Sequence, residues 1–187
     1  MLWQTLQEPG LEHLALSRTP GGLRADGLVI GVVGAPPRPF RLRYRVDCDA
    51  AYRVRAVTVA VTRPRPRRVA LRADGRGTWR DRAGAEVAAL RGCIDVDIMT
   101  SPFTNLLPIR RLAWTPGQTA EIDVVYVVVP ELRLETERQR YTCLDTSMGG
   151  GRYRFESLAS GFAADLRVDA DGLVTTYGDL WRRVPAG

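Results

Sequence analysis

No stretch longer than about ten residues carries helical periodicity, whereas a two-residue alternation of apolar and polar side chains recurs along the whole chain. A chain patterned this way is confined to sheet architectures. Residues 40–46 are the clearest case: Phe40, Leu42, Tyr44 and Val46 face one way, and Arg41, Arg43 and Arg45 the other. Segments 12–16, 52–61, 69–73, 119–129, 132–144, 153–157, 162–168 and 173–177 also read as strands. The stretch 119–129 is expected to be the longest of them and 146–151 the loosest connection. Asp-Gly pairs at 26–27, 74–75 and 171–172 are turn signals, and the prolines of 34–39 exclude a helix there. The pattern predicts an all-β fold, a rolled antiparallel sheet or barrel of about ten to twelve strands with at most short helical turns. One domain spanning residues 1–187 is long enough to bury a core without disulfides or metal.

Charge and cysteine content narrow the partners. All 27 basic residues are arginine, and the formal net charge is +6. Coding bias toward GC-rich codons accounts for an all-arginine set first, and selection for anions only second. Arg63, Arg65, Arg67 and Arg68, with Pro64 and Pro66 between them, should form an exposed loop able to meet an anionic membrane surface. Nucleic acid is disfavoured, because an aromatic content of 7% offers few stacking platforms. Cys48, Cys93 and Cys143 are odd in number and have no metal-ligand spacing, which points to buried reduced thiols. His13 is the single histidine, so chemistry needing two imidazoles is excluded within one chain. The N-terminus lacks a signal-peptide pattern and no apolar run is long enough for a membrane helix, so a soluble cytoplasmic protein is expected.

The unusual chemistry is concentrated in residues 92–112. Alternation across 93–98 puts Ile94, Val96 and Ile98 on one strand face and Cys93, Asp95 and Asp97 on the other. Two carboxylates so placed repel and need a cation, a donor or solvent. If the chain folds back after Ser101-Pro102, Thr104, Asn105, Arg110 and Arg111 can supply them. The cluster is then a structural ion-pair knot or a polar recognition site at the rim of an apolar cavity.

Several strings here resemble the bacterial glycolipid-binding domain family. They are Asp74-Gly75 with Trp79, the run from Gly92 through Ile98, Pro102-Phe103-Thr104-Asn105 and Pro108-Ile109-Arg110-Arg111-Leu112. Gln139-Arg140-Tyr141, Tyr153-Arg154-Phe155-Glu156-Ser157 and Asp171-Gly172-Leu173-Val174 with Tyr177 continue the match, which covers residues 11–183. The resemblance implies a spiral β-roll similar to folds that carry lipids, and it brings no catalytic residue and no cofactor.

Three function classes follow. The first is a module holding a glycolipid or other amphiphile. Ile94, Val96, Ile98, Val125, Val127 and Phe162 would line an elongated apolar pocket, with Asp95, Asp97, Thr104, Asn105, Arg110, Arg140 and Tyr141 at a polar mouth. Trp79, Trp114 and Tyr141 are candidate sugar platforms. The second is a glycoside hydrolase using Asp95 and Asp97, whose Cα atoms would be roughly 6–7 Å apart on an extended strand. The third is a module for anionic surfaces or nucleic acid acting through the arginine loop.

Overall fold

The computed structural model describes residues 1–147 and 149–185. Fourteen strands form one sheet: β1 (Leu2–Thr5), β2 (Gly10–Thr19), β3 (Gly22–Val33), β4 (Arg38–Asp49), β5 (Val54–Arg63), β6 (Arg67–Ala73), β7 (Trp79–Arg80), β8 (Asp95–Ile98), β9 (Thr119–Val128), β10 (Arg133–Ser147), β11 (Gly150–Ser157), β12 (Ala163–Asp169), β13 (Val174–Tyr177) and β14 (Trp181–Arg183). The order across the sheet is β7-β6-β5-β4-β3-β2-β1-β14-β13-β12-β11-β10-β9-β8. Two meanders thus spread from the centre, where the first strand pairs with the last (Trp3 opposite Arg183, Thr5 opposite Trp181). All neighbours are antiparallel except β8 and β9, which run parallel. The all-β expectation holds; the strands exceed ten to twelve because very short ones, such as β1, β7 and β14, carry too few residues to show alternation.

The longest strand is β10, not the segment around β9. Polar residues hid its length, since Glu135, Glu137 and Gln139 share its inward parity with buried Tyr141 and Cys143. Of the connection expected at 146–151, Met148 lies outside the described residues, while strand pairing continues to Ser147 opposite Gly150.

Asp26-Gly27 is not a turn. Strand β3 runs straight through it, with Asp26 opposite Arg45 and Gly27 opposite Tyr44. The glycine is there for close packing: a Cβ on Gly27 would sit 2.0 Å from the Tyr44 ring carbon Cζ. Asp74-Gly75 and Asp171-Gly172 do turn the chain: Asp74 accepts hydrogen bonds from the Arg76 and Thr78 backbone N–H groups, and Asp169 accepts from those of Asp171 and Leu173.

The interior of the roll is filled. A 3₁₀ turn over Pro102–Asn105 runs into a short helix α1 (Leu106–Arg111), and this plug buries Phe103, Leu106 and Leu107 against Leu42, Val59, Val96, Ile98, Val125 and Val127. Those four residues of β8 and β9 are at most 1% exposed, so they belong to the core and not to an elongated apolar pocket. A plug this short lies below the length at which helical periodicity is detectable, which is why the sequence pointed to an open interior. A second, smaller core gathers Tyr141, Cys143, Tyr153, Phe155 and Leu166 beneath β10–β12. Cys48, Cys93 and Cys143 are buried free thiols.

Candidate functional site

The two carboxylates of β8 are held differently. Asp95 is 1% exposed and accepts two hydrogen bonds from the Arg111 guanidinium, Nε to Oδ1 at 3.1 Å and Nη2 to Oδ2 at 2.5 Å. Burial holds its carboxyl above the usual range, and the Arg111 hydrogen bond and charge offset this only in part. This is the structural knot: the end of α1 is tied to the sheet edge by a bidentate ion pair.

Asp97 has no arginine. Its Oδ1 accepts from the Thr104 hydroxyl at 2.8 Å and its Oδ2 from Gln139 Nε2 at 2.7 Å. The same amide nitrogen donates to Oε2 of Glu137 at 3.0 Å, and the Ser157 hydroxyl donates to the other Glu137 oxygen. Burial raises the Asp97 carboxyl to about 6; the Gln139 and Thr104 hydrogen bonds lower it, and the Glu137 charge raises it further.

Asp97 and Glu137 open onto a cavity of about 220 Å³. Its other walls are aromatic and hydroxylic: Tyr126, Phe155, Phe162, Tyr177 and Trp181, with Asn105 and the serines 101, 157 and 160. Phe155, Phe162 and Tyr177 form a corner, with ring centroids 5.9–6.3 Å apart. Burial, then the negative charges of Asp97 and its neighbours, hold the Tyr126 and Tyr177 hydroxyls above their ordinary range. Behind the Ser101 wall lies a buried relay. Ser101 donates to Glu12 Oε1 at 2.7 Å, and the Tyr44 hydroxyl donates to the same oxygen. Burial raises the Glu12 carboxyl to about 7, and its Oε2 has no hydrogen-bond partner. Glu12 shares strand parity with Leu14 and Leu16, a signal that would have placed it inward.

Of the seven residues singled out in the sequence, Asp97, Thr104, Asn105 and Tyr141 converge here. Tyr141 is itself buried and donates to Asn105 Oδ1 at 2.9 Å, which makes it a support for the wall and not a platform. Asp95 sits in the knot. Arg110 turns away, its guanidinium lying 5.2 Å over the Tyr52 ring. Arg140 is on the outer face, bonded to Glu121 at 2.7 Å, because its parity in β10 is opposite to that of Gln139 and Tyr141. Trp79 is core, donating to the Cys93 carbonyl, and Trp114 packs on Tyr153 in the second core, so neither is a platform. Glu137, Gln139, Tyr126, Tyr177 and Trp181 were missed as site residues. Alternation in β10 pointed to the first two, but nothing local brings β9, β13 and β14 together.

The family described as "Putative glycolipid-binding" matches the chain over residues 1–183. The chain belongs to this family. Among solved structures, it is similar to a DUF1089 family protein from Pseudomonas aeruginosa, at 38% sequence identity and a TM-score of 0.83, with 92% of each chain covered. No curated protein matches. Among the described residues, no helix is long and apolar enough to cross a membrane.

Proposed function

We propose that this glycolipid-binding family member recognises the headgroup of an amphiphile in the cavity bounded by Asp97 and Glu137. The observation that carries this reading is the meeting of two kinds of wall in one small space. The Phe155–Phe162–Tyr177 corner offers ring faces to the apolar side of a sugar, and the facing carboxylates and Asn105 offer planar acceptors to its hydroxyls. At about 220 Å³ the cavity suits a single ring, being smaller than the pockets of about 300–1,000 Å³ that enclose drug-sized ligands.

The core face of β8 and β9 leaves the acyl part no room beside Val96, Ile98, Val125 and Val127, so it would lie across the rim. Phe162 and Met99 line the mouth and are 38% and 40% exposed, and Leu158 follows cavity residue Ser157. Such a rim would let the protein engage a headgroup whose tail stays in a bilayer or micelle. Arg63 at the end of β5, Arg65 in the turn, and Arg67 and Arg68 at the start of β6 are exposed and suit an anionic surface; the sequence had placed all four in a loop. Three buried free thiols suit a reducing compartment, so the reading places the protein in the cytoplasm as a single binding domain.

A hydrolytic reading cannot use Asp95, which is committed to Arg111. Asp97 and Glu137 are close enough to share one amide nitrogen, and each of their four oxygens accepts one hydrogen bond while keeping a further lone pair for a ligand. Calorimetric titration with alkyl glycosides below their micelle-forming concentration tests the proposal. Micromolar affinity, about −8 kcal/mol, is expected for the native protein, with a loss of about tenfold or more for Tyr177→Ala. Absence of heat with every glycoside, or affinity untouched by Tyr177→Ala, would contradict it.

A further inference from the structure

Charge at the cavity sets a narrower requirement on its occupant. Many of this chain's carboxylates pair with arginines, among them Asp95 with Arg111, Asp123 with Arg138, Glu121 with Arg140, Asp169 with Arg183 and Asp165 with Arg154. Asp97 and Glu137 form no salt bridge among the described residues, and their shared partner, the Gln139 amide, is neutral. No arginine or histidine lines the cavity among the described residues. One hydrogen bond behind its wall, Glu12 adds a third acidic group, fully buried and with an unpartnered oxygen, though the N-terminal ammonium is near enough to act on it. Burying carboxylates without a cation is costly, and the cost is relieved when a ligand brings the missing charge. The opposite walls are aromatic, and ring faces attract cations directly.

We infer that the headgroup bound between Asp97, Glu137 and the Phe155–Phe162–Tyr177 corner carries a positively charged nitrogen. The inference rests on the headgroup reading above and deepens it: the occupant is an ammonium-bearing headgroup, either an amino sugar or a simple alkylammonium. The carboxylate oxygens already accepting from Thr104, Gln139 and Ser157 keep further lone pairs for an N–H donor or for direct charge contact. The +6 charge of the chain as a whole would repel such a ligand, so any preference for it has to arise locally. Because Asp97 must be ionised to contribute, affinity should fall as pH drops through about 6. The groups facing Asp97 are Thr104 from the plug, Tyr126 from β9, Glu137, Gln139 and Tyr141 from β10, and Tyr177 from β13. None of them brings a positive charge.

The test is a titration panel on the native protein with one alkyl chain and four heads: glucose, 2-amino-2-deoxyglucose, its N-acetyl derivative and trimethylammonium. The amino sugar should bind about tenfold more tightly than the glucose and N-acetyl heads, in line with one charge contact. That preference should shrink below pH 6, and Asp97→Asn should remove it. Trimethylammonium binding as tightly as the amino sugar would keep the cation requirement and identify a non-sugar headgroup. A glucose head that binds as well as the amino sugar would overturn the inference while leaving the headgroup reading intact. No binding by any head would overturn both. The comparison among native-protein affinities decides the matter even if Asp97→Asn fails to fold.

Discussion

Asp95 and Asp97 stand two residues apart on the same strand and the same face, yet the fold gives them opposite surroundings. Asp95 meets a guanidinium in a bidentate pair with both partners largely out of solvent, their side chains 1% and 13% exposed. Asp97 meets a hydroxyl, an amide and a second carboxylate at the edge of a cavity. The chain has arginines to spare, and among the described residues none pairs with Asp97. The difference separates an acid that holds the structure from one kept unneutralised at some cost, the usual mark of a site shaped for something other than stability.

The largest effect that could break this comparison is on Asp95. Asp95→Ala leaves the buried Arg111 unpaired and should cost about 3–5 kcal/mol in urea denaturation. A loss below about 1 kcal/mol would mean that the pair does not hold α1 to the sheet. Gly27→Ala comes next, because the new methyl must displace the Tyr44 ring that supports Glu12 and Ser101 behind the cavity wall. About 1–3 kcal/mol of destabilisation is expected, with weakened glycoside binding; an unchanged melting curve would show that the ring can move freely.

Replacing Asp97 should have the opposite effect on stability at pH 7 to replacing Asp95. The Asp97 carboxyl is raised to about 6 in the folded state, so the folded chain keeps the proton longer than the unfolded one. Its contribution to stability is therefore greatest below the unfolded value and is lost as pH rises from about 4 through about 6. Asp97→Asn should remove that slope and leave the protein about 1–2 kcal/mol more stable at pH 7, while impairing binding. Parallel stability curves for the two proteins between pH 4 and 7 would refute the assignment. The smallest effect belongs to Arg140→Ala on the outer face, where a surface pair with Glu121 is worth at most about 1 kcal/mol. Ligand affinity should be unchanged, and a clear loss would bring Arg140 back into the site.

These residues also show what the sequence could reveal. Strands such as β4 were legible because half-burial writes a period of two into the side chains, and Thr104 and Asn105 were within local reach of Asp97. Gly27 was misread because the same Asp-Gly pair that serves a hairpin also serves a notch for a tyrosine ring, and only the facing strand distinguishes the two. Arg110 and Arg111 are adjacent and chemically identical; the direction of the last turn of α1 sends one to Tyr52 and the other to Asp95. The aromatic wall was invisible for a different reason. Tyr126, Phe155, Phe162, Tyr177 and Trp181 come from strands and turns spread over more than fifty residues, and they meet only because the sheet rolls.

The most direct test of the central claim is a crystal structure of the protein with an alkyl glycoside bound, preferably the amino-sugar form. The account predicts the sugar ring between Asp97 and Glu137 on one side and Phe155, Phe162 and Tyr177 on the other. The alkyl chain should leave past Phe162 and Met99, and the Asp95–Arg111 pair should be undisturbed. A ring seated elsewhere on the roll, or an alkyl chain threaded into the core beside Val96 and Ile98, would contradict it.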